Sequence, residues 1–138
     1  MPAKDIYHHQ VRNALIKDGW TITDDPLILS IGKRDLFVDL GAEKVIAAEK
    51  KNQKIAVEVK SFIGKSQVND LENAVGQYMV YNQVLLENKN ERTLYLAIRN
   101  LSFQEVFEET LGKIFLKKKI INLIVFDEKE ETILRWIN

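Results

Sequence analysis

Three residues in the first half of the chain have the types and spacing to act on a phosphodiester: Asp39, Glu58 and Lys60. The run Ile55-Ala-Val-Glu-Val-Lys-Ser61 alternates strictly. Side chains of a strand point alternately to opposite faces, so Ile55, Val57 and Val59 share one face and Ala56, Glu58 and Lys60 share the other. A carboxylate and an ammonium then project together. Asp39 stands 19 positions before Glu58, near the end of a second strand-like run, Leu36-Phe-Val-Asp-Leu40, and can reach the same spot. Two acids suit a hard divalent cation, and a lysine beside them can orient or activate water. The competing reading is an ordinary half-exposed strand whose outer face carries a charge pair for solubility.

The elements that must position these side chains follow from periodicity. Asp5 to Asp18 is expected to be helical, with Tyr7, Val11, Ala14, Leu15 and Asp18 at three- and four-residue spacing and Gly19 as the stop. His8 lies beside that apolar stripe, either as a packing residue or as an auxiliary group reaching a phosphate or metal. Asp24-Asp25-Pro26 marks a turn before the β-rich run Leu27 to Ile31, and Gly32 to Asp35 marks another before Leu36 to Leu40. Lys44 to Glu49 is expected to be a strand. Lys51-Asn52-Gln53 then reads as a hairpin tip, so that Asp39, Glu58 and Lys60 come from adjacent strands.

Ser66 is expected to cap a long helix running to about Glu87. Its stripe is Val68, Leu71, Val75, Tyr78, Asn82 and Leu85, and Gln77 and Tyr81, four apart, can both face the acid cluster. Thr93 to Ile98 reads as a buried strand, and Ser102-Phe-Gln-Glu105 as a capping box opening a helix with Phe103, Val106, Phe107 and Thr110 inward. Leu111 to Lys119 continues helical with an interruption near Gly112. Ile120 to Phe126 and Thr132 to Ile137 are expected to form a C-terminal β-hairpin.

Composition sets the outer limits. The 138 residues are 46% hydrophobic and 29% charged, with two prolines and six glycines, which points to one globular domain spanning residues 1–138 without a linker. Lys plus Arg equals Asp plus Glu at 20 each, so net charge gives no argument for nucleic acid. Locally the balance shifts. Between Glu43 and Lys65 six lysines face three acids, and Lys113 with Lys117 to Lys119 form a second basic group; each is either a phosphate-contacting patch or a solvated face. There is no cysteine, which excludes disulfides and thiolate zinc sites and fits a cytoplasmic protein. No signal peptide or membrane-spanning segment is expected.

The order helix, strands bearing Asp39 and Glu58-Val-Lys60, long helix, strand resembles the restriction-endonuclease-like PD-(D/E)xK core: a mixed α/β fold with a central mixed sheet flanked by helices. Asp39 matches the first acid and Glu58-Val59-Lys60 the E-x-K element, although Val38 stands where the motif has proline. Gln77-Tyr-Met-Val-Tyr81 is similar to the Q-x-x-x-Y element of some exonuclease-like members. More closely, Met1-Pro-Ala-Lys-Asp-Ile-Tyr-His, Ala14-Leu-Ile-Lys-Asp-Gly-Trp20, Val38-Asp-Leu-Gly-Ala-Glu43, Ile55 to Phe62, Ala74-Val-Gly-Gln-Tyr78 and Ile133-Leu-Arg-Trp-Ile137 resemble the XisH family of cyanobacterial fdxN element excision controlling factors. The resemblance implies control of programmed excision of a DNA element, beside a separate recombinase and an XisI-type partner protein. The XisH resemblance does not imply that this chain cuts DNA. The PD-(D/E)xK resemblance is what implies Mg²⁺ or Mn²⁺ held by Asp39, Glu58 and the Val59 carbonyl, Lys60 positioning or activating water, Gln77, Tyr81 and His8 as auxiliaries, and DNA as substrate. The alternative is a non-catalytic regulatory module on the same fold. A homodimer would suit action on two strands.

Overall fold

The computed structural model describes residues 3–46 and 51–138. Its centre is a six-stranded mixed sheet in the order β1-β4-β5-β6-β7-β8, beside a separate two-stranded hairpin, β2–β3. The strands are β1 Thr21–Asp24, β2 Leu27–Ile31, β3 Arg34–Val38, β4 Leu40–Ile46, β5 Lys51–Val59, β6 Thr93–Arg99, β7 Leu123–Asp127 and β8 Thr132–Ile137. β5, β6 and β7 run parallel, and β1–β4, β4–β5 and β7–β8 pair antiparallel, the last forming the expected C-terminal hairpin. Parallel neighbours need crossovers, and helices supply them. α2 (Gln67–Glu87) joins β5 to β6, and a helical run made of α3 (Asn100–Ser102), a π-helical turn (Phe103–Phe107) and α4 (Thr110–Lys117) joins β6 to β7.

Each sheet face carries its own core. One packs Ala56, Leu96, Ile98 and Val125 against Leu71, Tyr78 and Leu85 of α2 and Phe103 and Phe107 of the crossover, with Leu27, Leu29 and Val38 from the small hairpin. The other packs Val57, Val59, Ala97 and Phe126 against Val11 and Leu15 of α1 (His8–Lys17) and Trp20. β5 is therefore buried on both faces from Ile55 to Val59, not half-exposed as its alternation suggests. The face that pattern assigns to solvent is covered by α2.

Several boundaries move for identifiable reasons. β5 starts at Lys51, so Lys51, Asn52 and Gln53 are ladder residues opposite Ile46, Val45 and Lys44, not a hairpin tip. Ala47 to Lys50, at the end of the expected 44–49 strand, lie outside the described residues. β1 is a short edge strand that its Thr-Ile-Thr-Asp sequence does not announce. In α2 the cap is as expected, Asn69 N–H donating to Ser66 Oγ at 3.2 Å, but Ala74 takes an inward place and Val68 stays exposed.

The expected capping box at Ser102 does not form. The buried Ser102 hydroxyl donates to the Ser61 carbonyl at 3.4 Å, and Glu105 accepts from Gln67 instead. Phe103, Val106 and Phe107 are buried as expected, while Thr110 is exposed at the start of α4. Gly112 does not interrupt α4. It lets the helix close against the preceding turn, since a Cβ there would overlap the Val106 carbonyl oxygen.

Because that contact is with backbone, it cannot relax by a side-chain rotation. Gly112→Ala should cost about 1–3 kcal/mol of stability despite alanine's better helix propensity. Urea denaturation of the two proteins measures this, and a neutral or stabilising result contradicts the close approach.

Candidate functional site

Glu58 is the last but one residue of β5, and Asp39 is the bend between β3 and β4. The β4–β5 ladder places Leu40 opposite Val57, so the next positions outward bring Asp39 beside Glu58. Each acid is held by the other's strand. Val59 N–H donates to Asp39 Oδ2 at 2.8 Å, and Asp39 N–H donates to Glu58 Oε1 at 3.2 Å. Lys60 lies just past the end of β5, its Nζ 3.8 Å from Glu58 Oε2. These three residues line one cavity of about 350 Å³ together with Val59, Gln77, Tyr81, Ala3, Asp5, Asp35, Leu36 and Phe37. The cavity sits where ligands gather in α/β folds, outside the carboxyl end of a parallel strand.

Lys60 is fixed through its backbone as well as its charge. Its N–H donates to the Ala97 carbonyl at 3.1 Å. The next residue, Ser61, is held on both sides: its N–H donates to Asp5 Oδ2 at 3.1 Å and its carbonyl accepts from Arg99 at 3.3 Å. Asp5 Oδ1 takes the Tyr7 N–H at 2.9 Å, so one carboxylate ties the start of the chain to the end of β5. Asp5 and Asp35 are site residues that sequence reasoning missed. The available signal for Asp5 was an aspartate three residues before the helix at His8, a pattern that favours a side-chain-to-backbone turn.

Gln77 and Tyr81, one helical turn apart on α2, both reach the cavity, as their spacing predicts. α2 is set against the sheet by Tyr78, whose hydroxyl donates to the Leu94 carbonyl and accepts from Asn122 N–H, both at 3.1 Å. His8 turns its ring to Asp25, although its charge still acts on Asp39. It is buried, its Nε2 is 2.7 Å from Asp25 Oδ1, and it is not among the residues lining the cavity. Burial works against the Asp25 charge, but the His8 hydrogen bond and the charges of His8 and Lys4, with Arg12 at 2.6 Å, hold its carboxyl below the ordinary range.

Electrostatics at the acid pair are unfavourable without a counter-charge. Burial, then the Asp39 charge, pushes Glu58 up to about 8, only partly offset by Lys60. Burial also raises Asp39, against the lowering effect of the Val59 N–H. Tyr81 is pushed up to about 12 by burial and by the Glu58 and Asp39 charges, so its hydroxyl stays a donor at neutral pH. Among the described residues, no three His, Cys, Asp or Glu gather closely enough to hold a metal by themselves. The donor set is two carboxylates and peptide oxygen. That fits Mg²⁺, which binds through one or two carboxylates and keeps waters or substrate oxygens for the rest of its shell.

Fold and site together define a mixed α/β domain with an acid-rich cavity at the carboxyl end of its central strand. The chain belongs to the XisH family, whose model, described as XisH protein, matches residues 1–134. It is similar to the crystal structure of an XisH family protein from Nostoc punctiforme PCC 73102, with 36% identity, 97% of this chain and 100% of that one covered, and a TM-score of 0.86. It is equally similar in fold to an fdxN element excision controlling factor protein from Anabaena variabilis, with 37% identity, coverage of 98% and 100%, and a TM-score of 0.86. A search of curated proteins finds no match. Among the described residues no helix is long and apolar enough to cross a membrane.

The raised Glu58 carboxyl has a consequence for stability. A group whose pKa rises on folding binds its proton more tightly in the native state. Stability therefore falls as pH climbs from the ordinary 4.5 to about 8, and the loss is complete above that. Glu58→Gln should remove most of this slope and be more stable than the parent at pH 8.5 by about 1–3 kcal/mol. Urea denaturation between pH 5 and 9 checks it; parallel curves for the two proteins would show that Glu58 is not the group responsible.

Proposed function

We propose that this chain is a factor controlling site-specific excision of a DNA element, and that its cavity is a PD-(D/E)xK-type, restriction-endonuclease-like site acting on DNA with Mg²⁺ or Mn²⁺. The convergence of Asp39, Glu58 and Lys60 on one cavity, with Gln77 and Tyr81 facing them from α2, carries this reading. Support for the excision role comes from the family and from the Anabaena variabilis protein's description as an fdxN element excision controlling factor.

In this reading Asp39 and Glu58 hold the cation through the oxygens their backbone partners leave free, with the Val59 carbonyl as a third donor. When bound, the cation supplies Lewis-acid polarisation of the phosphoryl group and a more acidic water. Lys60, fixed through the Ala97 and Ser61 peptides, orients the attacking water and offsets charge building on the phosphorus oxygens. The protonated Tyr81 hydroxyl and the Gln77 amide donate to phosphate or to the strand that carries it. Four carboxylates, Asp5, Asp35, Asp39 and Glu58, line the cavity against the single Lys60 ammonium. A phosphate can enter only with a cation to neutralise that field.

The same observation supports a second reading, a non-catalytic module on this fold that binds an XisI-type partner or the recombinase. The Asp39 carboxylate already accepts from Val59 N–H, the Glu58 carboxylate accepts from Asp39 N–H, and Lys60 pairs with Glu58, so one oxygen of each acid and the lysine have partners within the chain.

Cleavage of plasmid and oligonucleotide DNA with Mg²⁺ or Mn²⁺ separates the two. Catalysis predicts that Glu58→Ala and Lys60→Ala each lose about 10²–10³-fold or more. Activity that survives both substitutions removes these residues from the mechanism. An absence of cleavage with any metal, combined with unchanged partner binding by Glu58→Ala, establishes the second reading. Metal binding is read independently of activity. Because the cation competes with the Glu58 proton, the thermal shift given by Mg²⁺ should grow from pH 6 to pH 8.5 and vanish in Asp39→Ala.

A further inference from the structure

The crossover between β6 and β7 leaves an unusual face uncovered. α4 is amphipathic: Phe115 and Leu116 are half-buried against the core and Gly112 is buried, but Leu111 is 45% and Ile114 39% exposed. Val68 of α2, 53% exposed, lines a cavity of about 50 Å³ together with Leu111 and Gly112, so the apolar surface continues across two elements. The charges around it are segregated. From Glu105 to Glu109 there are three acids and no base, and from Lys113 to Lys119 four lysines and no acid. Among the described residues none of Glu108, Glu109, Lys113, Lys117, Lys118 and Lys119 makes an ion pair within the chain.

Acids at the start of a helix and lysines at its end complement the helix's own dipole. That explains the charge order, but it does not explain Leu111 and Ile114 held in water between the two charge blocks. We infer that this face, from Glu108 to Lys118 with Val68 beside it, is where a second copy of this chain docks about a two-fold axis, the α4 helices antiparallel.

The geometry is self-complementary. A two-fold axis near the middle of α4 brings Leu111 and Ile114 of the copies together and sets Glu108 and Glu109 of each against Lys117 and Lys118 of the other. In such an isologous contact, a match made once is made twice. A parallel arrangement would instead stack lysine on lysine. An eight-residue helix is only about 12 Å long, so Val68 and its surroundings on α2 are needed to approach the roughly 1,000 Å² of a specific interface. Gly112, by drawing α4 against the Val106 carbonyl, sets the height at which Leu111 and Ile114 stand.

Sedimentation equilibrium of the full chain tests this. The parent protein should form a concentration-dependent dimer, and Ile114→Glu should raise its Kd at least about tenfold. The pair Glu108→Lys with Glu109→Lys, and the pair Lys117→Glu with Lys118→Glu, should each weaken self-association by a similar factor. An equimolar mixture of those two proteins should recover dimers of parental affinity, because both charge contacts are then restored. All these residues are exposed, so thermal melts matching the parent exclude misfolding. A parent that stays monomeric, a dimer indifferent to Ile114→Glu, or a mixture no tighter than its components each overturns the inference. DNA binding lost with the lysines while every protein sediments as a monomer would likewise overturn it, in favour of a phosphate-contacting surface.

Discussion

Two hydrogen bonds hold the functional end of this molecule together. Val59 N–H reaches the Asp39 carboxylate, and Asp39 N–H reaches the Glu58 carboxylate. Each acid satisfies a donor at the point where a strand stops and the regular ladder can no longer do so. Buried backbone donors without partners are costly. The exchange therefore keeps β4 and β5 in register at their last pair and makes the aim of both carboxylates a by-product of finishing the sheet. The remaining lining is brought to this point. α2 is set by Tyr78 on Leu94 and Asn122, and Lys60 by the Ala97 carbonyl and the Asp5–Ser61 contact.

The arrangement carries an electrostatic tension. Two carboxylates side by side, screened from water, repel one another, and a single lysine 3.8 Å from one of them offsets only part of that. A proton or a divalent cation relieves the remainder, and the two exclude each other. A cation bound here would have to displace the Glu58 proton. The acidic walls supplied by Asp5 and Asp35 deepen the same preference for positive charge.

The placement of the candidate residues was legible in the sequence wherever local pattern and fold agreed. Alternation around Glu58 and the four-residue spacing of Gln77 and Tyr81 placed these side chains in one cavity. The Ser66 cap and the C-terminal hairpin likewise follow from local rules. What local pattern concealed was set by distant neighbours. β5 looks half-exposed because alternation cannot reveal that α2 covers the Glu58 face. Ser102 looks like a helix cap because its four-residue motif is right, yet the Ser61 carbonyl, 41 positions away, takes its hydroxyl. Gly112 looks like a break because glycine usually is one; here a close backbone approach requires it. His8 looks available to the site, but Asp25 claims its ring.

The contact between Asp5 and Ser61 spans 56 positions in the chain. Closing so wide a loop is entropically expensive and brings little until the sheet exists to receive it. The cavity is therefore a late product of folding. For the same reason it is vulnerable: the segment around Asp5, held to the end of β5 by one carboxylate, can open locally at less than the global unfolding free energy. Such an opening would release the peptide after Lys60 while both cores stayed packed. The protein could then lose the aim of its lysine long before it lost its fold.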